Sequence, residues 1–330
     1  MNAPRITVLV PTIGRMDFLP MTRRCLREQT RQDFRVLVLD NASPPDAQAF
    51  FADWTREDPR VEVLRADPRV PMFANFNRGM QAVTTELVTF FHDDDEYPPD
   101  YLEVLAGALD TFPNAAFAGS NFDFIDEHGA ILEERRWIST TEVWDAARYM
   151  RELVQRGRNP VPMPGLVFRR RAFGPDGFDE SLPIHFGDFV LLMRAAEEGG
   201  MVAVARPVVR IRMHPGQASA LPRSRSIPMR TEVLTKHLDE YEQRHPAERA
   251  LVAELRARVV LTHRAGMVWG WMIGADDAER RTCLESLGTA RVDAVLRRVL
   301  AWADRHGLRP NRVGPRLIKA VRSGADLLRL

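Results

Sequence analysis

The residues best suited to chemistry form one acidic run, His92-Asp93-Asp94-Asp95-Glu96, followed by Tyr97-Pro98-Pro99. Neighbouring carboxylates repel one another unless positive charge sits among them. Hard oxygen ligands on a short turn suit Mg²⁺ or Mn²⁺, with phosphate oxygens completing the coordination shell. The plainer reading is a solvated acidic turn capping a helix that begins at Pro99. A second segment, Asp40-Asn41-Ala42-Ser43-Pro44-Pro45, offers a carboxylate that can accept from a base N–H or bind a ribose hydroxyl. Its plainer reading is a helix N-cap, with Ser43 or Asp46 leading the helix. A third, Pro11-Thr12-Ile13-Gly14-Arg15, has backbone N–H groups and a guanidinium able to meet a diphosphate, or is only a strand-to-helix turn. No Walker loop is present and no G-x-G-x-x-G follows a strand, which argues against P-loop and nicotinamide chemistry.

Each segment follows a short apolar run. Residues 6–10, 35–39, 61–65, 87–91 and 115–119 read as strands. Helical patterns fill 17–29, 47–57, 75–83 and 99–112, the last with Leu102, Leu105 and Leu109 on one face. This alternation predicts an α/β fold, a mostly parallel sheet with helices on both faces. Ligands in such sheets bind at the carboxyl ends of strands, where these three segments lie. Further on, Asp126-Glu127-His128-Gly129 predicts a hairpin turn between 122–125 and 130–133. Residues 141–156 and 187–198 read as helices, 159–165 as a proline-rich loop, and 201–204 and 208–212 as short strands. Beyond 228 the pattern is helical throughout.

In order and spacing these pieces resemble glycosyltransferase family 2 on a GT-A (Rossmann-like) fold. The resemblance runs from Val8-Leu9-Val10-Pro11-Thr12 and Arg15 through Leu26-Arg27-Glu28-Gln29-Thr30 and Val38-Leu39-Asp40-Asn41-Ala42-Ser43. It continues through Asn75-Phe76-Asn77-Arg78-Gly79 to the aspartate cluster. It extends more weakly to about residue 219. It implies an inverting, metal-dependent transfer from a nucleotide sugar, with Asp40 recognising the base. Pro11, Thr12, Arg15, Asn77, Arg78, Asp93 and Asp94 then fall on the donor side. Counting back from Pro99 aligns His92-Asp93-Asp94 with the family's Asp-x-Asp motif. That makes Asp94 the metal-binding aspartate, with Asp95 beside it, and puts His92 where the family has its first aspartate. Asp188, in Phe186-Gly187-Asp188-Phe189, resembles the family's general base, although as a bare sequence feature it is a helix N-cap. His214, opening His214-Pro215-Gly216-Gln217-Ala218-Ser219, resembles the closing histidine and joins the metal set. Gly165 and Phe168, in Pro164-Gly165-Leu166-Val167-Phe168-Arg169, together with Gly187, fall on the acceptor side.

Composition sets the remaining bounds. The 330 residues divide into a catalytic domain over 1–222 and a helical C-terminal extension over 223–330. A net charge of +1 gives no global field for nucleic acid. Lys236 and Lys319 are the only lysines among 46 basic residues, a uniform arginine bias. Cys25 and Cys283 form neither a zinc set nor a disulfide framework, and a reducing cytoplasm fits. No secretory leader or spanning segment is legible, so the expectation is a soluble cytoplasmic protein, at most peripheral at the inner face of the membrane. Residues 312–330 form a basic amphipathic pattern able to lie on an anionic membrane surface, or simply a docked terminal helix. The expected partners are a nucleotide sugar, UDP-linked by first choice and dTDP- or GDP-linked next, and a glycan, lipid-linked or small-molecule acceptor; a homo-oligomer is allowed. The competing readings are a sugar nucleotidyltransferase, which normally opens with a basic Gly-rich loop not found at 11–15, and a catalytically inert nucleotide-sugar binder or scaffold.

Overall fold

The computed structural model describes residues 3–175, 177–184, 186–214, 223–273, 277–288 and 290–305. They group into two compact units, Met1–Tyr149 with Asn159–Ala218, and Met150–Arg158 with Ser219–Leu330.

The first unit is built on strand–helix alternation. In chain order it runs β1 (Ile6–Thr12), α1 (Leu19–Arg27), β2 (Phe34–Asp40), α2 (Pro45–Glu57), β3 (Val61–Val63), α3 (Met72–Gln81), β4 (Leu87–Phe90), α4 (Tyr101–Thr111) and β5 (Phe117–Ser120). Then follow β6 (Phe122–Ile125), β7 (Ile131–Arg135), β8 (Glu142–Trp144), α5 (Ala146–Arg156, of which Met150 onward belongs to the second unit), β9 (Leu166–Arg169), α6 (Gly187–Glu197), β10 (Met201–Val204) and β11 (Arg210–Arg212). The main sheet has the order β3-β2-β1-β4-β9-β5-β10-β8. Its strands run parallel except β9, antiparallel to β4 and β5, and β8, antiparallel to β10. A second sheet, β11-β6-β7, carries the expected hairpin.

Strands buried on both faces explain the unbroken apolar runs: Ile6, Val8, Leu9 and Val10 are all fully buried. Helix α4 sets Leu102, Leu105 and Leu109 into this core, each with no exposed surface. Burial of such a side chain is worth ~1.5–3 kcal/mol. Two polar ties fix its position. Tyr101 Oη reaches the Thr89 hydroxyl at 2.7 Å and donates to Leu166 O at 2.9 Å. Gln29, from the Leu26–Thr30 segment, donates to Pro98 O at 2.9 Å and accepts from Leu102 N at 3.0 Å. The start of α4, and hence the turn before it, is thereby locked to α1.

Two expectations are corrected and one strand is added. Residues 141–144 are not helical: Trp144 is buried and Glu142–Trp144 pairs with β10, while the Asp145 carboxylate accepts from Arg148 N at 2.7 Å and opens α5 only afterwards. β-Branched and aromatic residues favour that edge strand, and the aspartate marks the true helix start. Residues 166–169, for which the sequence pattern predicts no element, are a strand at the centre of the sheet; three apolar residues before Arg169 carry too little periodicity to reveal this. Helix α3 starts at Met72, three residues before the expected Asn75, because the apolar face continues through Phe73.

The second unit holds α7 (Arg223–Arg244), α8 (Arg249–Ile273), α9 (Asp277–Glu285) and α10 (Arg291–Arg305). Ile227, Met267, Val268, Trp271, Cys283, Leu287, Leu296 and Leu300 form its core. Trp271 is buried, while Trp269 is exposed. Arg264 pairs with the buried Asp293. Residues 215–219 and the amphipathic stretch 312–330 lie outside the described residues. Among those described, no helix is long and apolar enough to cross a membrane.

Candidate active site

The acidic run forms a tight turn directly beyond β4. Tyr97 folds back under it: its ring stacks on Phe91 at 3.7 Å, and its Oη accepts from His92 N at 2.7 Å. Thr22 of α1 donates to Asp93 O at 3.0 Å. Arg212, at the end of β11, is almost fully buried and clamps the other side. Its backbone N–H donates to Asp95 Oδ1 at 2.9 Å, and its guanidinium donates to Asp94 O at 3.0 Å, Glu96 Oε1 at 2.6 Å, Asp126 O at 2.8 Å and Glu127 O at 2.9 Å. Arg212 belongs to none of the sequence motifs above; its place two residues before His214 is its only signal in the sequence.

The three aspartates have separate surroundings. Asp93 is buried and fully engaged: Thr12 Oγ1 donates to Oδ2 at 2.6 Å and Arg15 to Oδ1. Burial pushes its carboxyl up against the opposing pull of Arg15 and Thr12. Asp93 thus holds Arg15 in place and is not free to ligate. Asp94 Oδ2 meets Arg15 Nη2 at 2.8 Å and His214 Nε2 at 3.1 Å. Burial acts to raise its carboxyl, but Arg15, His92 and His214 outweigh that and hold it below the usual range. Asp95 is buried, and desolvation together with the adjacent Asp94 pushes it well above that range.

Ligand atoms of His92, Asp94 and Asp95 all lie within 4.8 Å of one another. One imidazole and two carboxylates make a donor set suited to a divalent ion, and His92 Nε2 is buried without a hydrogen-bond partner. His92 therefore offers a ligand atom where the family pattern has its first aspartate.

Asp40 lies at the end of β2, almost fully buried. Oδ1 accepts from Ser43 N at 2.9 Å, a contact made by the turn through Ala42, whose φ of 58° is the left-handed conformation a non-glycine residue rarely adopts. Oδ2 accepts from Arg65 Nη1 at 2.6 Å. Arg78 supports Arg65 from behind, donating to its carbonyl at 2.8 Å and to Asn75 Oδ1 at 2.9 Å. Arg78 thus bears on Asp40 through Arg65. Pro11 lies within β1 beside β2, in register with Leu39.

Asn77 does not reach this pocket. Its amide accepts from Phe178 N and donates to Phe178 O, both at 2.9 Å, and so pins the 177–180 loop to α3. Phe168 is fully buried and packs on Phe117 and Phe173, which leaves no surface for an acceptor. Gly165 is buried, with Val209 3.0 Å from where a Cβ would stand. Gly187 is pressed so closely on the Phe73 ring that any Cβ would collide with it. These three residues are engaged in packing.

Asp188 is in the first turn of α6. Asn159 Nδ2 donates to its Oδ2 at 2.7 Å, whereas Oδ1 is buried without a partner. The residue keeps some exposed surface, yet burial of the carboxyl pushes it up to about 7. The helix N-terminus should favour the anion, so desolvation is the stronger effect. A line of contacts, Gly187 on Phe73, Phe73 on Phe76 and Phe76 on His92, joins the start of α6 to the acidic turn.

A carboxylate-rich turn beyond a central strand, an arginine from the first loop and a separate buried carboxyl lie at the carboxyl ends of the strands of a GT-A fold. The profile described as Glycosyl transferase family 2 matches residues 7–174, slightly over half of the chain, and the protein belongs to that family of glycosyltransferases. It is similar to the GalNAc(5)-diNAcBac-PP-undecaprenol beta-1,3-glucosyltransferase of Campylobacter jejuni subsp. jejuni serotype O:2, with 29% identity over 136 residues, 40% of this chain and 42% of that one. The chain spans less than half the length of the curated relatives it matches. Among solved structures, S. aureus TarS 1-349 superposes with a TM-score of 0.67 at 14% identity, over 98% of this chain and 93% of that one. The same fragment in complex with UDP-GlcNAc gives a TM-score of 0.66 at 15% identity, with the same coverage. The mannosyltransferase PcManGT from Pyrobaculum calidifontis, in complex with GDP-Man and Mn²⁺, gives 0.53 at 16% identity, over 97% and 86%. At these identities the structural likenesses speak for the fold.

Proposed function

We propose that residues 1–222 catalyse inverting transfer of a sugar from a nucleoside diphosphate donor to an acceptor hydroxyl, with 223–330 a helical extension. UDP is the preferred donor nucleotide, ahead of dTDP and GDP, and the UDP-GlcNAc complex of a fold neighbour supports that order. The acceptor class is a glycan, with lipid-linked chains favoured by the undecaprenol-linked substrate in the relative's name. That would suit a cytoplasmic protein working at the inner face of the membrane.

The observation that carries this reading is the paired arrangement. An acidic turn is braced by Arg15 and His214, and a separate buried carboxyl keeps one oxygen free. Asp94, His92, Asp95 and His214 would hold Mn²⁺ or Mg²⁺, which when bound offsets charge on the diphosphate. Arg15 presents its guanidinium to the departing phosphate oxygens, and Asp40 with Arg65 receives the base. The acceptor oxygen bonds to the anomeric carbon as its proton passes to Asp188 Oδ1. The bond from that carbon to the diphosphate oxygen breaks, and the diphosphate leaves with the electron pair. One displacement inverts the anomeric centre. A positioned base of this kind contributes ~10²–10⁴-fold.

The test is thermal stabilisation by UDP, dTDP, GDP, ADP and CDP, with Mn²⁺ or with EDTA, for wild type and Asp94→Ala. A ligand at 100 times its dissociation constant stabilises by ~2.7 kcal/mol. The expected result is a shift for one nucleotide that EDTA and the substitution both abolish. No shift with any nucleotide would return the acidic run to a capping turn.

A further inference from the structure

Asn159 and Tyr149 have no part in the scheme above, yet both bear on Asp188. Asn159 follows α5 in the proline-rich loop and is 9% exposed. Its Nδ2 donates to Asp188 Oδ2 at 2.7 Å, and its Oδ1 faces Tyr149 Oη at 3.3 Å. Tyr149, on α5, is fully buried, with its ring edge-on to Phe117. The amide is therefore held from one side and directs its donor to the other. Asp188 Oδ1 is left buried and unpaired, a position a proton acceptor requires and a structural cap does not.

We infer that Asn159 is the positioning residue of the general base: it fixes one carboxylate oxygen of Asp188, leaves the other for the acceptor hydroxyl, and tunes the ionisation of the group. The inference rests on Asp188 being that base. The groups facing Asp188 are the Asn159 amide, the Tyr149 phenol and the backbone N–H groups at the head of α6. Among the described residues, no cationic side chain bonds to its carboxylate. Asn159 is the one side-chain donor that opposes desolvation, alongside the backbone N–H groups of Asp188 and Phe189, and removing it leaves the carboxyl harder to ionise. Burial also lifts the Tyr149 phenol well above its usual range, with the negative charge of Asp188 adding to the effect. Tyr149 therefore stays a neutral donor and holds the Asn159 amide in the orientation that points Nδ2 at Asp188.

The experiment needs no acceptor. Full-length protein carrying ¹³Cγ-labelled aspartate is titrated by NMR, and the Asp188 resonance is assigned by its loss in Asp188→Asn. Wild type should titrate near neutrality. Asn159→Ala should move the midpoint up by about one unit, a tenfold change in the ionisation constant. Tyr149→Phe should move it the same way by less. If Asn159→Ala does not fold, Asn159→Ser, which keeps a shorter donor, serves in its place with a smaller expected shift. An unchanged midpoint in folded Asn159 variants would overturn the inference. Failure of the underlying reading shows separately: with a nucleotide sugar that wild type turns over, Asp188→Asn would then release the nucleoside diphosphate as fast as wild type, whatever the titration gives.

Discussion

Replacing Asp188 by asparagine should make the protein more stable at alkaline pH while it disables transfer. The carboxyl is raised from 3.8 to about 7 because its oxygens are desolvated with one neutral side-chain donor and no cation bound to them. A folded value above the unfolded one means that the neutral form is favoured in the native state. The stability this lends is fully present below pH ~4, is lost as pH rises towards 7, and is absent above it. The rise, 7 − 3.8, is roughly three units, which at ~1.36 kcal/mol per unit sets an upper value of ~4 kcal/mol. Residual exposure of Asp188 brings the working figure nearer ~2 kcal/mol. Asparagine has nearly the same shape and can still accept from Asn159, so it removes the buried charge without opening a cavity. Melting temperatures measured from pH 4.5 to 8.5 should converge towards the acid end. The asparagine variant should lead by ~4–8 °C at pH 8, at ~2–4 °C per kcal/mol for a unit of this size. Its transfer rate should fall by ~10²–10⁴-fold. Parallel melting curves across the whole range, or a wild type that is the more stable at pH 8, would show that desolvation does not govern this carboxyl.

Other residues give independent checks. Arg212→Met strands the Asp94, Asp126 and Glu127 carbonyls that Arg212 now satisfies, together with the Glu96 carboxylate, and should cost ~3–5 kcal/mol by denaturant titration; a loss below ~1 kcal/mol would mean the clamp is dispensable. Asn77→Ala should lower stability by ~1–3 kcal/mol by freeing the Phe178 backbone, with little change in nucleotide affinity; the opposite pattern in calorimetry would restore Asn77 to the donor site. Gly187→Ala must displace the Phe73 ring, so a melting temperature equal to wild type would contradict the packing described. Truncation before residue 312 should abolish pelleting with anionic liposomes if the terminal stretch binds membranes; equal pelleting of both forms removes that role.

The three loops could be found in the sequence because strands buried on both faces produce continuous apolar runs, and ligands gather where such runs end. Asp40, Arg15 and the His92–Asp95 turn all follow from that rule. The central β9 could not be found this way. Three apolar residues and an arginine carry no distinguishing period, and what makes them a strand is the gap between β4 and β5 that they fill. The sequence determined which residue types stand at the strand ends, because local patterning fixes those positions. The tertiary structure alone decided their roles. It engaged Asp93 in holding Arg15, Asn77 in pinning a loop and Phe168 in the core, and it brought Arg212 and Asn159 to Asp94 and Asp188 across 118 and 29 residues of chain. Desolvation and hydrogen-bond partners are properties of these long-range contacts, so the ionisation of each carboxylate is set only when the chain has folded.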